Sequence, residues 1–382
     1  MTNLSTWWFA AFETPVATSP FAPSRSGIVV SALSDDVADR PARVRVMAVM
    51  DKFRGTASAR ALSDVVARAA DRQGCASDVQ PMSDGGEGFR EVFDGVTTVV
   101  NVLGPLGEVV QAGVTLRHTL TGLVGVVEVA EAVGRDYLRS PSSVEALAAS
   151  SAGVGQLILV ASQLGAERLL IGCGGSATSD GGLGCYQVLR DAGGLPVPVV
   201  AATDVRSRFL DARNFAEQKG VSAADLGAVD QRLIEARAMY LKEQGVDVEL
   251  VDRSGAAGGI AGALAALGGV LTSGFDAVAD AVGLQERIAR SSLVVTGEGR
   301  FDLGSLEGKV ITSVAGLIDQ ATSMLVVCGE VVPGALDAFE RHYPNAKVVS
   351  LVERFGVNAA MSETLDCVDE VVTSEVLDFL RR

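Results

Sequence analysis

Histidine is almost missing from this chain. Its 382 residues include two, His118 and His342. Both are read as surface positions, so a histidine triad or histidine metal cluster is all but excluded and any general base has to be a carboxylate. Cysteine is scarce as well. Cys75, Cys173, Cys185, Cys328 and Cys367 are scattered, odd in number and never spaced C-x-x-C. Neither a zinc site nor a disulfide framework is expected, and a reducing, cytoplasmic location fits. Cationic residues are outnumbered, 32 Lys and Arg against 47 Asp and Glu, for a net charge of -15. That lacks the basic footprint of a nucleic-acid binder, while leaving room for a local cationic pocket. Long hydrophobic runs are missing too. The longest uncharged stretch, from Ser254 to Phe275, is Gly/Ala-rich and too weakly apolar to span a membrane, so it reads as a buried helix. Met1 to Pro41 has no basic segment ahead of its apolar residues, carries Pro15, Pro20 and Pro23, and is expected to be a poorly ordered extension, bounded here as residues 1–43.

Glycine is in excess, 43 of 382 residues, where roughly 7% is usual. Tight turns and backbone-lined sites follow from that. The first clear strand, Val44 to Met50, ends at Asp51. A helix follows, with Leu62, Val65, Val66, Ala69 and Ala70 on one face. Runs at Val96–Val102, Val109–Leu116 and Leu123–Val129, separated by glycine turns, predict an antiparallel or mixed meander. A helix is predicted over Ser143–Leu164, strands at Arg168–Gly172 and Val197–Ala202, and helical segments around Ser222–Gln244. The last third alternates again: strand Leu293–Thr296, helix Val310–Ile318, strands Met324–Cys328 and Lys347–Val352, helix Ser374–Leu380. Such alternation implies an α/β fold with a parallel sheet. The economical arrangement is a discontinuous Rossmann-like domain, residues 44–80 and 290–382, carrying an inserted α/β domain of mixed sheet, residues 81–289. A site would then face the cleft at the strands' carboxyl ends.

Four glycine-rich segments hold acids at fixed places. Asp51-Lys52-Phe53-Arg54-Gly55 follows the first strand. Ser83-Asp84-Gly85-Gly86-Glu87-Gly88 reads as an Asp-Gly turn on its own, yet its amides could approach an anion. Gly172 to Gly182 runs from a strand into Gly174-Gly175-Ser176, a ready phosphate cradle. A loose G-x-G-x-x-A dinucleotide pattern in this loop ranks well below phosphate binding. Thr296 to Asp302 closes another strand. Lys309 lies beyond it, but the spacing fails the P-loop pattern.

Taken together and in order, these segments resemble the bacterial glycerate kinase family. The series is Asp51-x-Phe53-Arg54-Gly55, Met82 to Gly88, Gly104-Pro105-Leu106-Gly107, Glu128-Val129-Ala130-Glu131-Ala132 and Ser151-x-Gly153-Val154-Gly155. It continues with Gly174 to Gly182, Gln218-Lys219-Gly220, Gly255 to Gly259 and Thr296 to Asp302. The resemblance implies a two-domain α/β kinase that uses Mg-ATP and phosphorylates D-glycerate. The chain departs from the family pattern at Lys52 and Arg54, where serine and lysine are usual, and at Thr203, where cysteine is usual before Asp204.

On this reading the base is Asp51 or Asp204. Arg54, Ser83, Asp84, Gly85, Gly86 and Arg300 hold the acid substrate. Gly174, Gly175, Ser176, Thr178, Lys219 and Gly258 hold ATP phosphates, and Asp180 and Asp302 hold Mg²⁺. The partner is a small molecule, with neither nucleic acid nor membrane, and a homodimer is left open. The competing expectations are a catalytically silent metabolite-binding homologue and a nicotinamide-dependent oxidoreductase.

Overall fold

In β1 (Arg45–Met50), Val46 to Met50 are all buried. A continuous apolar run of this kind suits a parallel strand covered on both faces. It pairs on one side with β2 (Ala76–Val79) and on the other with β9 (Leu293–Phe301). β10 (Ser323–Val331) and β11 (Ala346–Ser350) complete a five-stranded parallel sheet of order β11-β10-β9-β1-β2. The computed structural model describes residues 44–138, 142–306 and 309–381. The expected extension over residues 1–43 lies outside the described residues.

The helix after β1, Ala59–Arg72, is capped by Ser58, whose side chain accepts the Ala61 amide proton. Its buried face carries Leu62, Val65, Val66, Ala69 and Ala70, as the periodicity predicts. These side chains share a core with Val368, Val371, Val372 and Val376 of helix Thr364–Leu380. That last helix begins ten residues before the Ser374 start expected from sequence.

The second sheet has six strands in chain order: β3 (Val96–Leu103), β4 (Val109–Thr119), β5 (Gly122–Glu128), β6 (Arg168–Gly172), β7 (Val199–Thr203) and β8 (Val270–Ser273). β3, β4 and β5 pair antiparallel and β5 to β8 pair parallel, which makes it the mixed sheet of the sequence reading. His118 lies in β4, and it is exposed as expected.

Two element assignments need correction. The single helix predicted over Ser143–Leu164 is two, Ser143–Ala148 and Ala152–Gln163. The break arises because the Ser150 amide donates to the Pro105 carbonyl and Ser151 donates both its amide and its hydroxyl to Asp180. The stretch from Ser254 to Phe275 is not one buried helix. It is a short turn at Ala256–Gly259, a seven-residue helix Ile260–Ala266, strand β8 and a new helix starting at Gly274. Positive φ at Ala257, Gly258, Gly259 and Gly268 stops helix propagation at each point. Among the described residues no helix is long and apolar enough to cross a membrane.

Gly274 joins the fold to its cleft. A Cβ there would collide with the backbone of Asp84 and Gly85. Gly274→Ala is therefore expected to cost about 1–3 kcal/mol through overpacking against main chain that cannot turn away. Urea unfolding of the variant and the parent would check this.

Candidate functional site

The carboxyl ends of both sheets deliver their loops to one place. Asp51 follows β1, its amide bonded to the Gly297 carbonyl at 3.0 Å and its carboxylate accepting the Lys52 amide at 2.8 Å. The turn after β2 comes from the same side. Asp84 accepts the Gly86 amide at 3.0 Å, and the Ser83 hydroxyl accepts that of Gly85 at 3.2 Å. From the other sheet arrive Gly174 after β6, Asp204 after β7 and Glu128 at the end of β5. Glu128 anchors the turn by accepting the amides of Gly88 at 2.8 Å and Arg90 at 3.3 Å.

These loops meet without side chains between them. A Cβ on Gly174 would stand 2.5 Å from the Gly86 Cα. One on Gly85, where φ is +97°, would stand 3.0 Å from the backbone of Ala202 and Thr203. The same position built on Gly86 lies 3.0 Å from Asp84 Oδ1, 3.7 Å from Lys52 Nζ and 3.8 Å from Asp204 Oδ2. Asp84, Lys52 and Asp204 thus converge around one glycine. The Lys52 ammonium also donates to the Glu87 carbonyl.

Three cavities open around this junction, and Arg54 lines all of them. A cavity of about 250 Å³ takes its walls from Gly174, Gly175, Ser176, Lys219, Asp204 and Gly258, with Arg135 on the rim. Gly175 holds φ +66° there. Buried Lys219 donates to the Ser176 hydroxyl at 3.1 Å and the Thr178 carbonyl at 2.7 Å, so the glycine loop rests on a cation. A second cavity, about 720 Å³, is bordered by Asp51, Arg54, Ser83 and Glu128. A third, about 540 Å³, is bordered by Asp51, Asp84, Glu298, Arg300, Asp302 and Lys309.

Not every expected residue reaches a cavity. Asp180 is turned inward, accepting the Ser151 amide and hydroxyl and the amides of Gly182 and Gly184 at 2.8–3.2 Å. It anchors the loop to helix Leu183–Asp191, and no metal ligation follows from that geometry. Thr178 is likewise turned inward, donating its hydroxyl to the Ala149 carbonyl at 3.0 Å and accepting the Asp180 amide at 3.0 Å. Gly172 packs on Phe89 and Gly174 on Gly86, so these glycines serve loop packing and the dinucleotide pattern loses its basis. Glu298 and Glu128, given no role from sequence, both border cavities, and each lies in a motif already noted there.

The glycerate kinase family model matches residues 46–192 and 196–377. The glycerate 2-kinase of Escherichia coli K12 is 35% identical over 273 residues, covering 62% of this chain and 71% of that protein. The glycerate kinase of Bacillus subtilis 168 is 29% identical over 359 residues, covering 78% of this chain and 93% of that protein. The chain belongs to the glycerate kinase family. A crystal structure from Salmonella typhimurium LT2, provisionally a glycerate kinase 2, superimposes with a TM-score of 0.70 at 24% identity. It covers 89% of this chain and 100% of its own, which shows the shared fold.

In this family member the cleft carboxylates are held in uncomfortable surroundings. Burial, then the nearby Asp84 charge, push Asp51 up to about 8. Asp204 stands on the open rim of its cavity, yet the desolvating walls and Asp84 raise it to about 6. Burial carries Glu298 to about 7 and Glu128 to about 7. Burial acts oppositely on Lys219, lowering it to about 7. An anion seated on its loop would restore that charge.

The raised value of Asp51 has a consequence for stability. Between the ordinary 3.8 and about 8 the folded protein holds a proton that the unfolded chain has released. Stability therefore falls as pH rises through that window. Asp51→Asn removes the buried charge at similar shape. Its melting temperature is expected to exceed that of the parent by several degrees at pH 9 and to differ little at pH 5. Equal differences at both pH values would contradict the placement of a strained charge here.

Proposed function

We propose that this glycerate kinase family member transfers the terminal phosphoryl group of Mg-ATP to a hydroxyl of D-glycerate, giving a phosphoglycerate. The observation that carries the proposal is the convergence at Arg54: a cationic glycine cradle on one side and an acid of raised pKa on the other. Phosphoryl transfer needs alignment, charge neutralisation and a proton acceptor, and little covalent chemistry from the protein. The amides around Gly174, Gly175 and Gly258, with Ser176 and Lys219, suit ATP phosphates. Arg54 and Ser83 then hold the acid beside Asp51, with the turn of Asp84, Gly85 and Gly86 fixing the approach.

Asp51 is the proposed base. Buried with a value of about 8, it holds a proton in most molecules at neutral pH and is a strong proton acceptor in the ionised fraction, which grows as pH rises toward 8. Magnesium, when bound, would neutralise charge on the phosphoryl oxygens. Among the described residues no three metal-ligating side chains are grouped as a cage. Mg²⁺ asks for less, usually one or two carboxylates completed by phosphates and water. Asp84 and Asp204, both close to Gly86, supply such hard oxygens beside the cradle, and Asp302 stands on the 540 Å³ cavity. The five buried free cysteines suit a reducing cytoplasm.

Mass spectrometry of protein incubated with ATP, Mg²⁺ and D-glycerate should reveal phosphoglycerate, and its absence at high enzyme concentration would favour a silent metabolite-binding protein. If Asp51 is the base, kcat/KM rises with pH along a limb near 8, since the base must be ionised. A limb near 6 would assign the role to Asp204 instead. Arg54→Ala should raise KM for glycerate at least tenfold, with Arg54→Lys restoring only part, because the guanidinium fork matches a carboxylate and an ammonium does not. Unchanged turnover of Arg54→Ala would remove it from the site.

A further inference from the structure

The 540 Å³ cavity is too large and too varied to be explained by a three-carbon acid. It lies outside the carboxyl ends of β1, β9 and β10. In sheet order β11-β10-β9-β1-β2 the chain leaves β1 toward β2 on one side and β9 toward β10 and β11 on the other. The β1/β9 junction is therefore the topological switch point, where open α/β sheets leave a crevice for ligands. Backbone lines that crevice closely, since a Cβ on Gly299 would stand 3.2 Å from the Phe53 Cα and 3.3 Å from the Arg54 amide nitrogen.

Three chemically distinct features border it. One wall is apolar and uncovered: Val357 and Met361, one turn apart on helix Val357–Ser362, are 60% and 58% exposed. The floor holds Glu298, itself 5% exposed, whose Oε1 is buried without a hydrogen-bond partner. A buried carboxylate oxygen left in this state calls for a donor from outside the protein. The third side is cationic. Lys309 stands there with Arg300, whose guanidinium reaches Asp302 and Glu330 only at 3.9 and 3.7 Å. Arg54 continues from this cavity into the glycine cradle.

We propose that this cavity is the nucleoside subsite, with the purine on Val357 and Met361, the ribose hydroxyls donating to Glu298, and the phosphates passing Arg300 and Lys309 toward Arg54. An apolar plane, a hydroxyl acceptor and a row of cations follow the order of the three parts of a nucleoside triphosphate. The assignment rests on the reading that ATP is the phosphoryl donor. It gives Arg300 the donor's phosphates to hold, in place of the acceptor's carboxylate.

Calorimetric titration of the full chain tests this without turnover. Val357→Ser combined with Met361→Ser changes two exposed positions, so the melting temperature should stay near that of the parent. ATP affinity is expected to fall at least tenfold while inorganic tripolyphosphate, which lacks base and ribose, binds as before. Glu298→Gln should weaken ATP severalfold but leave 2′,3′-dideoxy-ATP unchanged. Equal losses for ATP and tripolyphosphate, no loss for ATP, or a loss confined to D-glycerate would each overturn the assignment, as would parent protein that binds no ATP. The two readings fail separately. Protein that binds ATP as described but forms no phosphoglycerate would sink the kinase reaction and keep the subsite. Protein that forms phosphoglycerate with ATP affinity untouched by the double substitution would do the reverse.

Discussion

Everything in the cleft depends on main chain touching main chain. Gly86 seats on Gly174, Gly85 on Ala202 and Thr203, Gly274 on Asp84 and Gly85, Gly299 on Phe53 and Arg54, and Gly329 on Gly299. A Cβ on Gly174, Gly274 or Gly329 would overlap the facing backbone, one on Gly299 would crowd it, and Gly85 needs positive φ as well. Loops from two separate sheets are thereby brought close enough for Asp51 and Asp204 each to feel the charge of Asp84. The surplus of glycine is thus concentrated where strand ends meet, in addition to ordinary turns.

That closeness is destabilising by itself. Three carboxylates and Glu298 share a partly desolvated space in which Lys52, Arg54 and Lys309 offset part of the charge, with Lys219 beneath the glycine loop. Charges held against their preference are poised for a ligand that relieves them, which is how preorganised sites commonly work. The hydrophobic cores flanking the cleft supply the stability that such an arrangement consumes.

Much of this architecture was legible from residue order. The apolar run of β1, the stripe on helix Ala59–Arg72 and the meander through β5 all follow from periodicity, and Asp51 is placed by the strand that ends before it. What periodicity cannot show is the direction a polar side chain takes within a loop. Asp180 and Thr178 sit in the glycine-rich segment beside Ser176, yet they bond inward while Ser176 meets Lys219. Glu298 was visible inside its motif, but only the packing of Cys328 and Ser305 around β9 reveals a carboxylate oxygen without a partner. Likewise, the break between Ser143–Ala148 and Ala152–Gln163 is set in part by Asp180, 29 residues downstream of the Ser151 it binds, and so lies beyond any local pattern.

The pairing of β1 with β9 also sets a schedule for synthesis. Arg45 hydrogen-bonds to Ser292, 247 positions later in the chain. At ribosomal rates of about 5–20 residues per second, that separation corresponds to on the order of ten to fifty seconds. During this time β1 has β2 as its one neighbour, while β3 to β8 can already join along contiguous chain. The most apolar strand of the parallel sheet is made first and waits longest for its central partner. Such non-local closure is slow and leaves hydrophobic edges exposed to other chains. The strand that carries Asp51 is therefore also the segment that most needs protection from aggregation while the polypeptide is being made.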